Sequence, residues 1–296
     1  RLLCKYREIV KKHSKYNILT MSIKIFTMVK NEVDIIEYWI KYHGKMVGYE
    51  NLYIVDNMSN DGTFEVIEFY KNHGVHVYRE KDYKQKGDIM TKLIKSADNY
   101  DIAFPLDIDE FIVYFNKEEK RINPTRTKNY INNLIKSDVF EDNTVFKANY
   151  IQTLIDNDEY KTPMYETRYG AYLDYQGHAK TFLNKKKWNG TLDHGNHYPT
   201  TEYVMSDLCL VHYHCRNKNQ MIKKIENNVL GLGYPIDNLD YLQSLSKDCP
   251  GSHHVKHMIS ILENTFSLQI HHGSTESGCI SLEPLINIIK EFNIIP

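Results

Sequence analysis

The run Ile102-Ala103-Phe104-Pro105-Leu106-Asp107-Ile108-Asp109-Glu110-Phe111-Ile112-Val113 decides how the rest of the chain is read. Three carboxylates interrupt an otherwise continuous apolar segment. Burying a carboxylate without a partner is costly, so acids in such a run are there to bind something. In an extended segment side chains alternate, which places Asp107 and Asp109 on one side, able to share a cation or its waters. Their hard oxygens suit Mg²⁺ or Mn²⁺, and an ion held by so few protein ligands completes its shell with water and substrate phosphates. Asp-x-Asp alone is a common pattern of solvated turns; the apolar flanks are what mark this one.

Working back from this run, strand and helix patterns alternate. Ser22 to Val29 is a short apolar strand, and Asn31 to Val47 has helical period with Ile36, Trp39, Ile40 and His43 on one face. Asn31 with Asp34 supplies a helix start. Leu52-Tyr53-Ile54-Val55 is a second strand, running into the polar turn Asp56 to Gly62. A helix over Thr63 to Asn72, a strand over Val75 to Tyr78 and a helix over Asp88 to Ala97 follow, and Ile102 to Leu106 is the fourth strand. This rhythm predicts an α/β fold with a mainly parallel sheet covered by helices. Ligands of such sheets bind beyond the carboxyl ends of the strands. Three polar clusters fall there: Lys30-Asn31-Glu32, Asp56 to Gly62, and Asp107 to Glu110.

Beyond Phe115 the rhythm loosens, and a histidine-dense region spans His178 to His214. From Asn219 onward the pattern is mostly helical, with Met221, Ile222, Ile225 and Val229 on a core stripe and a last helix near Leu282 to Phe292. The expected organisation is a helical extension over 1–20, an α/β domain over 21–218 and a helical region over 219–296. Within the domain, the regularly alternating half ends near 115 and a looser half runs from about 116 to 218. The C-terminal helices are candidates for an acceptor wall or for a homodimer contact.

Composition narrows the partners. Lysine plus arginine number 37 against 38 acids, so no global field recruits nucleic acid or an anionic membrane. No apolar run approaches the ~20 residues that span a bilayer. Five cysteines (Cys4, Cys209, Cys215, Cys249 and Cys279) lack the paired spacing of a zinc site or disulfide scaffold and read as reduced thiols.

His212-Tyr213-His214 follows the apolar run Leu208 to Val211, so a histidine projects from a strand end, and His212 is the candidate third ligand beside the aspartates. His253, His254 and His257 have helical zinc spacing without a completing ligand, and read as surface or core residues. Trp39 reads as core, and Trp188 as either core or a stacking platform for an acceptor. Arg79, Lys84 and Lys86, near the third strand, read as either phosphate contacts or solvated residues and are left outside the core site. A phosphatase of the aspartyl-phosphate type is disfavoured, because the acidic motif follows the fourth strand and Phe111 stands where that type carries Thr or Val.

Taken in order, Met28-Val29-Lys30-Asn31-Glu32, Asp56-Asn57-x-Ser59-x-Asp61-Gly62-Thr63, Leu106 to Phe111 and His212-Tyr213-x-x-Arg216 resemble family 2-like and family 92-like glycosyltransferases of the GT-A fold. The match is continuous from Ile23 to about Val113 and patchy to about Lys224. The resemblance implies an inverting transfer from a UDP-sugar with Mn²⁺ or Mg²⁺. It implies donor contacts at Met28, Val29, Lys30, Asn31, Glu32, Asp56, Asn57, Asp107, Ile108 and Lys180, and a metal held by Asp107, Asp109 and His212. It also implies an acceptor-side base between the acidic motif and His212, where Asp193 is the first candidate and His197 the second. The expected acceptor is a hydroxyl of a glycan, a protein or a small molecule. Alternatives are a metal-dependent nucleotide-sugar hydrolase and a catalytically silent sugar-nucleotide-binding or scaffold domain. The sequon at Asn57 lies inside the expected uridine loop, so a cytoplasmic setting (cell, virion or host) is expected over a secretory lumen.

Overall fold

The computed structural model describes residues 22–154, 167–174, 179–198, 200–214, 216–245, 247–267 and 279–292. The expected helical extension over 1–20 lies outside them. The α/β expectation holds. Strands β1 (Ile23–Val29), β2 (Leu52–Asp56), β3 (His76–Arg79) and β4 (Ile102–Pro105) lie in the order β3-β2-β1-β4, all parallel. Strands β5 (Glu110–Asn116), β6 (Arg121–Asn123), β7 (Val145–Thr153), β9 (Lys180–Asn184) and β10 (Val204–His212) extend the sheet as β4-β9-β7-β10-β5-β6 with mixed directions. Strand β8 (Tyr169–Leu173) pairs with β7 and with the short β11 (Ile280–Ser281).

Parallel strands are covered on both faces, and that is why β1 and β2 are apolar throughout rather than alternating. Ile25 and Ile54 face a core completed by Ile36, Trp39, Ile40 and Ile67, while Phe26, Tyr53 and Val55 face a second core with Met90, Ile94 and Leu192. Trp188 is 7% exposed in that second core, with Tyr198 edge-on to its ring, so the core reading of this residue is the observed one.

The first helix starts at Ile36, later than Asn31, and has no side-chain cap. Asn31 instead adopts φ 54° and ties two loops together. Its backbone N–H donates to Ser59 Oγ (3.0 Å) and its Oδ1 accepts from Asn60 N–H (2.9 Å), while Glu32 N–H donates to Thr63 Oγ1 (2.8 Å). The loops after β1 and β2 thus form one hydrogen-bonded rim at the carboxyl edge of the sheet.

At the C-terminal side, helices Lys218–Gly231, Leu239–Ser244 and Ser252–Leu262 share a third core of Met221, Ile225, Val229, Leu242, Val255 and Met258. The stripe read from sequence is therefore packing. Among the described residues no helix is long and apolar enough to cross a membrane.

Candidate active site

A cavity of about 990 Å³ opens at the carboxyl edge of the parallel strands. One wall comes from the ends of β1 and β2: Met28, Val29, Lys30, Glu32 and Asn57. Its floor is Asp107, Ile108, Asp109 and Glu110 with His212 and His214. The opposite wall is supplied by the C-terminal helices through Lys224, Asn227, Asn228, Leu232, Tyr234, His253 and His254. Two histidines read from sequence as surface or core thus face the cavity.

Asp107 and Asp109 do not project side by side. Strand β4 stops at Pro105, and the backbone turns, with Glu110 N–H donating to Asp107 C=O at 3.1 Å. The period-two argument applies only to extended chain, so the two carboxylates diverge. Asp107 Oδ1 accepts from Lys86 Nζ (2.7 Å) and Asn196 Nδ2 (3.1 Å), and its Oδ2 from Lys180 Nζ (2.8 Å). Asp109 turns the other way, toward Lys224 Nζ and His212 Nε2, the latter 3.4 Å from Oδ2.

Lys180 reaches Asp107 Oδ2, Glu110 Oε1 (3.0 Å) and Gly195 C=O (3.1 Å), so the three donors of its ammonium are all engaged. It is 1% exposed and does not line the cavity. Burial alone lowers a lysine, but Asp107 and Glu110 outweigh it and hold this one well above the ordinary value. The same balance applies to Asp107: burial raises its carboxyl, while Lys180 and Lys86 outweigh burial and keep it ionised. For Asp109, burial is overcome by Lys224 and then His212, leaving it well below the usual carboxylate range. Glu110 and Glu32 are pushed up by burial.

The loop between β9 and β10 brings Asp193 and His197 to the same region with different exposure. The Asp193 carboxylate is exposed and accepts from Gly195 N–H (2.9 Å) and His197 N–H (2.7 Å), closing its own turn. His194, Gly195 and His197 reach the cavity; Asp193 does not line it. Burial, followed by the neighbouring Lys180 charge, lowers His197 to about 4, so its imidazole is neutral near pH 7.

At the end of β2, Asp56 is fully buried and accepts from Ser59 N–H (3.2 Å) and Arg79 Nε (3.1 Å). The Asn57 amide donates to Glu80 C=O at 2.7 Å. Arg216 is buried between Glu32 and Asp34, with Nε 2.6 Å from Asp34 Oδ2, and joins the end of β10 to the loop after β1.

Asp109, His212 and His214 each offer one donor atom, all within 4.8 Å of one another. A carboxylate with two imidazoles is a donor set that fits Mn²⁺ and related first-row ions. A positive charge is already favoured there, because Lys224 Nζ touches Asp109 Oδ2 and lies 3.4 Å from His214 Nδ1. His214, Lys86, Lys224 and Asn196 are site residues that motif reading passed over. One signal was present: Lys224, Asn227 and Asn228 follow the core stripe at helical spacing and face the cavity together.

No family model and no curated protein matches the sequence. Solved structures that resemble the chain include TarS 1-349 of S. aureus, at 12% identity and TM-score 0.42, covering 83% of this chain and 71% of that one. Glucosyl-3-phosphoglycerate synthase of Mycobacterium tuberculosis, in complex with Mn²⁺, UDP and glucosyl-3-phosphoglycerate, matches at 17% identity and TM-score 0.31 over 44% of each chain. The reading of the site rests on its own side chains.

Proposed function

We propose that the chain is a metal-dependent inverting glycosyltransferase, moving a hexose or N-acetylhexosamine from a UDP-sugar to a hydroxyl of a glycan, protein or small molecule. The observation that carries the reading is the convergence of Asp109, His212 and His214 on the floor of a cavity whose side wall is the ends of two parallel strands. A diphosphate completes the shell of an ion bound this way, and a sheet edge of this kind accommodates the nucleoside.

In this reading Met28, Val29, Lys30, Asn31, Glu32, Asp56 and Asn57 form the nucleoside side, and Asp107 with Ile108 lies toward the ribose. Asp109, His212 and His214 would hold Mn²⁺ or Mg²⁺, which neutralises charge on the leaving diphosphate when bound. Lys180 acts from behind, fixing Asp107 and Glu110 and anchoring the loop at Gly195. His197 is the base favoured by its neutral ring and its place on the cavity wall, and Asp193 shapes the turn that presents it. The base takes the acceptor hydroxyl proton as the oxygen bonds to the sugar's anomeric carbon. The carbon–oxygen bond to the diphosphate breaks, and its electron pair leaves with UDP. The nucleotide-binding half to about 115, the acceptor half to about 218 and the helical region beyond are the matching division of the chain. A cytoplasmic setting fits the burial of Asn57, which leaves its sequon no room for a glycan.

The test is calorimetric titration of UDP and a panel of UDP-sugars, with and without Mn²⁺, against the wild type and Asp109→Ala. Metal-dependent binding that disappears in the variant is expected. Folded protein that binds no UDP compound under any metal condition would overturn the proposal.

A further inference from the structure

Lys224 occupies the middle of the candidate metal set. Its ammonium contacts Asp109 Oδ2, lies 3.4 Å from His214 Nδ1, and shares that Asp109 oxygen with His212 Nε2. A divalent cation drawing on the same donor atoms and this ammonium are mutually exclusive occupants: they compete for one carboxylate oxygen, and their charges repel at contact distance. The lysine has somewhere to go. It lines the cavity, its side chain is 16% exposed, and it projects from the middle of the Lys218–Gly231 helix beside Asn227 and Asn228.

We propose that Lys224 is an exchangeable counter-ion that holds Asp109 when the metal is absent. It is displaced when the metal binds and then pairs with the diphosphate brought in by that metal. The inference rests on the diphosphate-binding part of the functional reading but not on the sugar, the acceptor or the nucleobase. Charge bookkeeping sets the direction. Asp109 and Lys224 cancel one another, and adding a divalent ion leaves the two cations uncompensated until an anion arrives. A diphosphate carries the charge that both require. Metal and diphosphate therefore bind with positive coupling, and Lys224 is the residue that makes the metal alone bind weakly. The neighbouring Glu32 is engaged by Arg216 and offers the displaced ammonium no full replacement.

The consequence is a pair of effects with opposite signs, which a merely structural lysine would not produce. In Lys224→Met, Mn²⁺ should bind the nucleotide-free protein more tightly, by about tenfold, because its competitor for Asp109 is gone. Inorganic pyrophosphate should bind the Mn²⁺-loaded variant about tenfold or more weakly than it binds the loaded wild type, because a charge-assisted contact is lost. Free Mn²⁺ is read by electron paramagnetic resonance and pyrophosphate by calorimetry, with Lys224→Gln as a second variant should the methionine form fail to fold. Weaker or unchanged Mn²⁺ binding in the folded variant overturns the exchange. So does wild-type protein that binds pyrophosphate without metal and loses it with Lys224, because the lysine is then a permanent cation. Failure of every UDP-sugar to bind would sink the glycosyltransferase reading and leave the Mn²⁺ comparison as decisive as before.

Discussion

Lys180 Nζ lies 2.8 Å from Asp107 Oδ2 and 3.0 Å from Glu110 Oε1, so one buried ammonium holds both carboxylates that flank the turn of the acidic motif. Its third donor fixes Gly195 C=O, which couples that turn to the loop carrying His197. Replacing it with methionine removes the one ammonium paired with Glu110 among the described residues and leaves Asp107 with Lys86 as its cation there. Breaking a buried pair of this kind costs about 3–5 kcal/mol. Urea unfolding of Lys180→Met at pH 7 should show a loss of that order; a loss near zero would remove Lys180 from its structural role.

Ligand identity on the metal side separates His214 from a bystander. If His214 donates to the ion, His214→Ala should raise the apparent Mn²⁺ Kd by about tenfold or more, since even the outer partners of metal ligands carry that much. Manganese titration with and without prior chelator treatment reads the effect. Unchanged Mn²⁺ affinity would leave Asp109 and His212 to bind without it.

Gly87 sits where the Lys86–Ser96 helix meets the loop after β9. A Cβ at this position would lie 2.4 Å from Leu192 C=O and 2.9 Å from the Asp193 carbonyl carbon, both backbone atoms that cannot swing aside. Gly87→Ala should therefore push the 191–197 loop outward, withdrawing Asn196 from Asp107 and Gly195 from Lys180. Turnover should fall by about tenfold or more, because small displacements of catalytic groups are amplified in rate. Helix content by circular dichroism should not change.

Acid should weaken the fold in two stages. His43, His197 and His254 are held neutral by burial, lowered to about 3, about 4 and about 3 from an ordinary value of 6.5. As pH falls below 6.5 the unfolded chain takes up protons that the folded chain refuses, so stability declines from about pH 6.5 downward. Asp107 and Asp109 are held below the ordinary 3.8, so their contribution is present above that value and is lost as pH drops through their folded range. Urea midpoints at pH 7, 6, 5 and 4 should fall steadily from the first step. A flat profile between pH 7 and 5 would contradict the buried neutral histidines.

The sheet was legible because β1 and β2 are apolar on both faces, and the polar clusters at their ends marked the binding edge without any knowledge of tertiary contacts. Asp109 and His212 were legible for the same reason, as polar groups at the ends of apolar runs. The divergence of Asp107 from Asp109 was not, because two residues of turn geometry cancel the alternation on which the reading depended. Lys86 and Lys224 were also hidden: they meet their aspartates from 21 and 115 residues away, and an isolated lysine in sequence carries no sign of a buried partner. The resemblance puts Asp193 first as the acceptor-side base from its place between the acidic motif and His212, and its exposure and self-closing turn are visible only once the loop is folded.

The two walls of the cavity are bridged by neutral side-chain hydrogen bonds near the long end of the range, Asn31 Nδ2 to Asn227 Oδ1 at 3.3 Å and Tyr83 O–H to Asn228 Oδ1 at 3.4 Å. Bonds of this type add little to stability and are readily exchanged for water. The seam between the ends of β1 and β2 and the C-terminal helices is thus inexpensive to part once Lys224 lets go of Asp109, and a ligand of the cavity can depart through it while Asp107 and Glu110 stay locked from behind by Lys180.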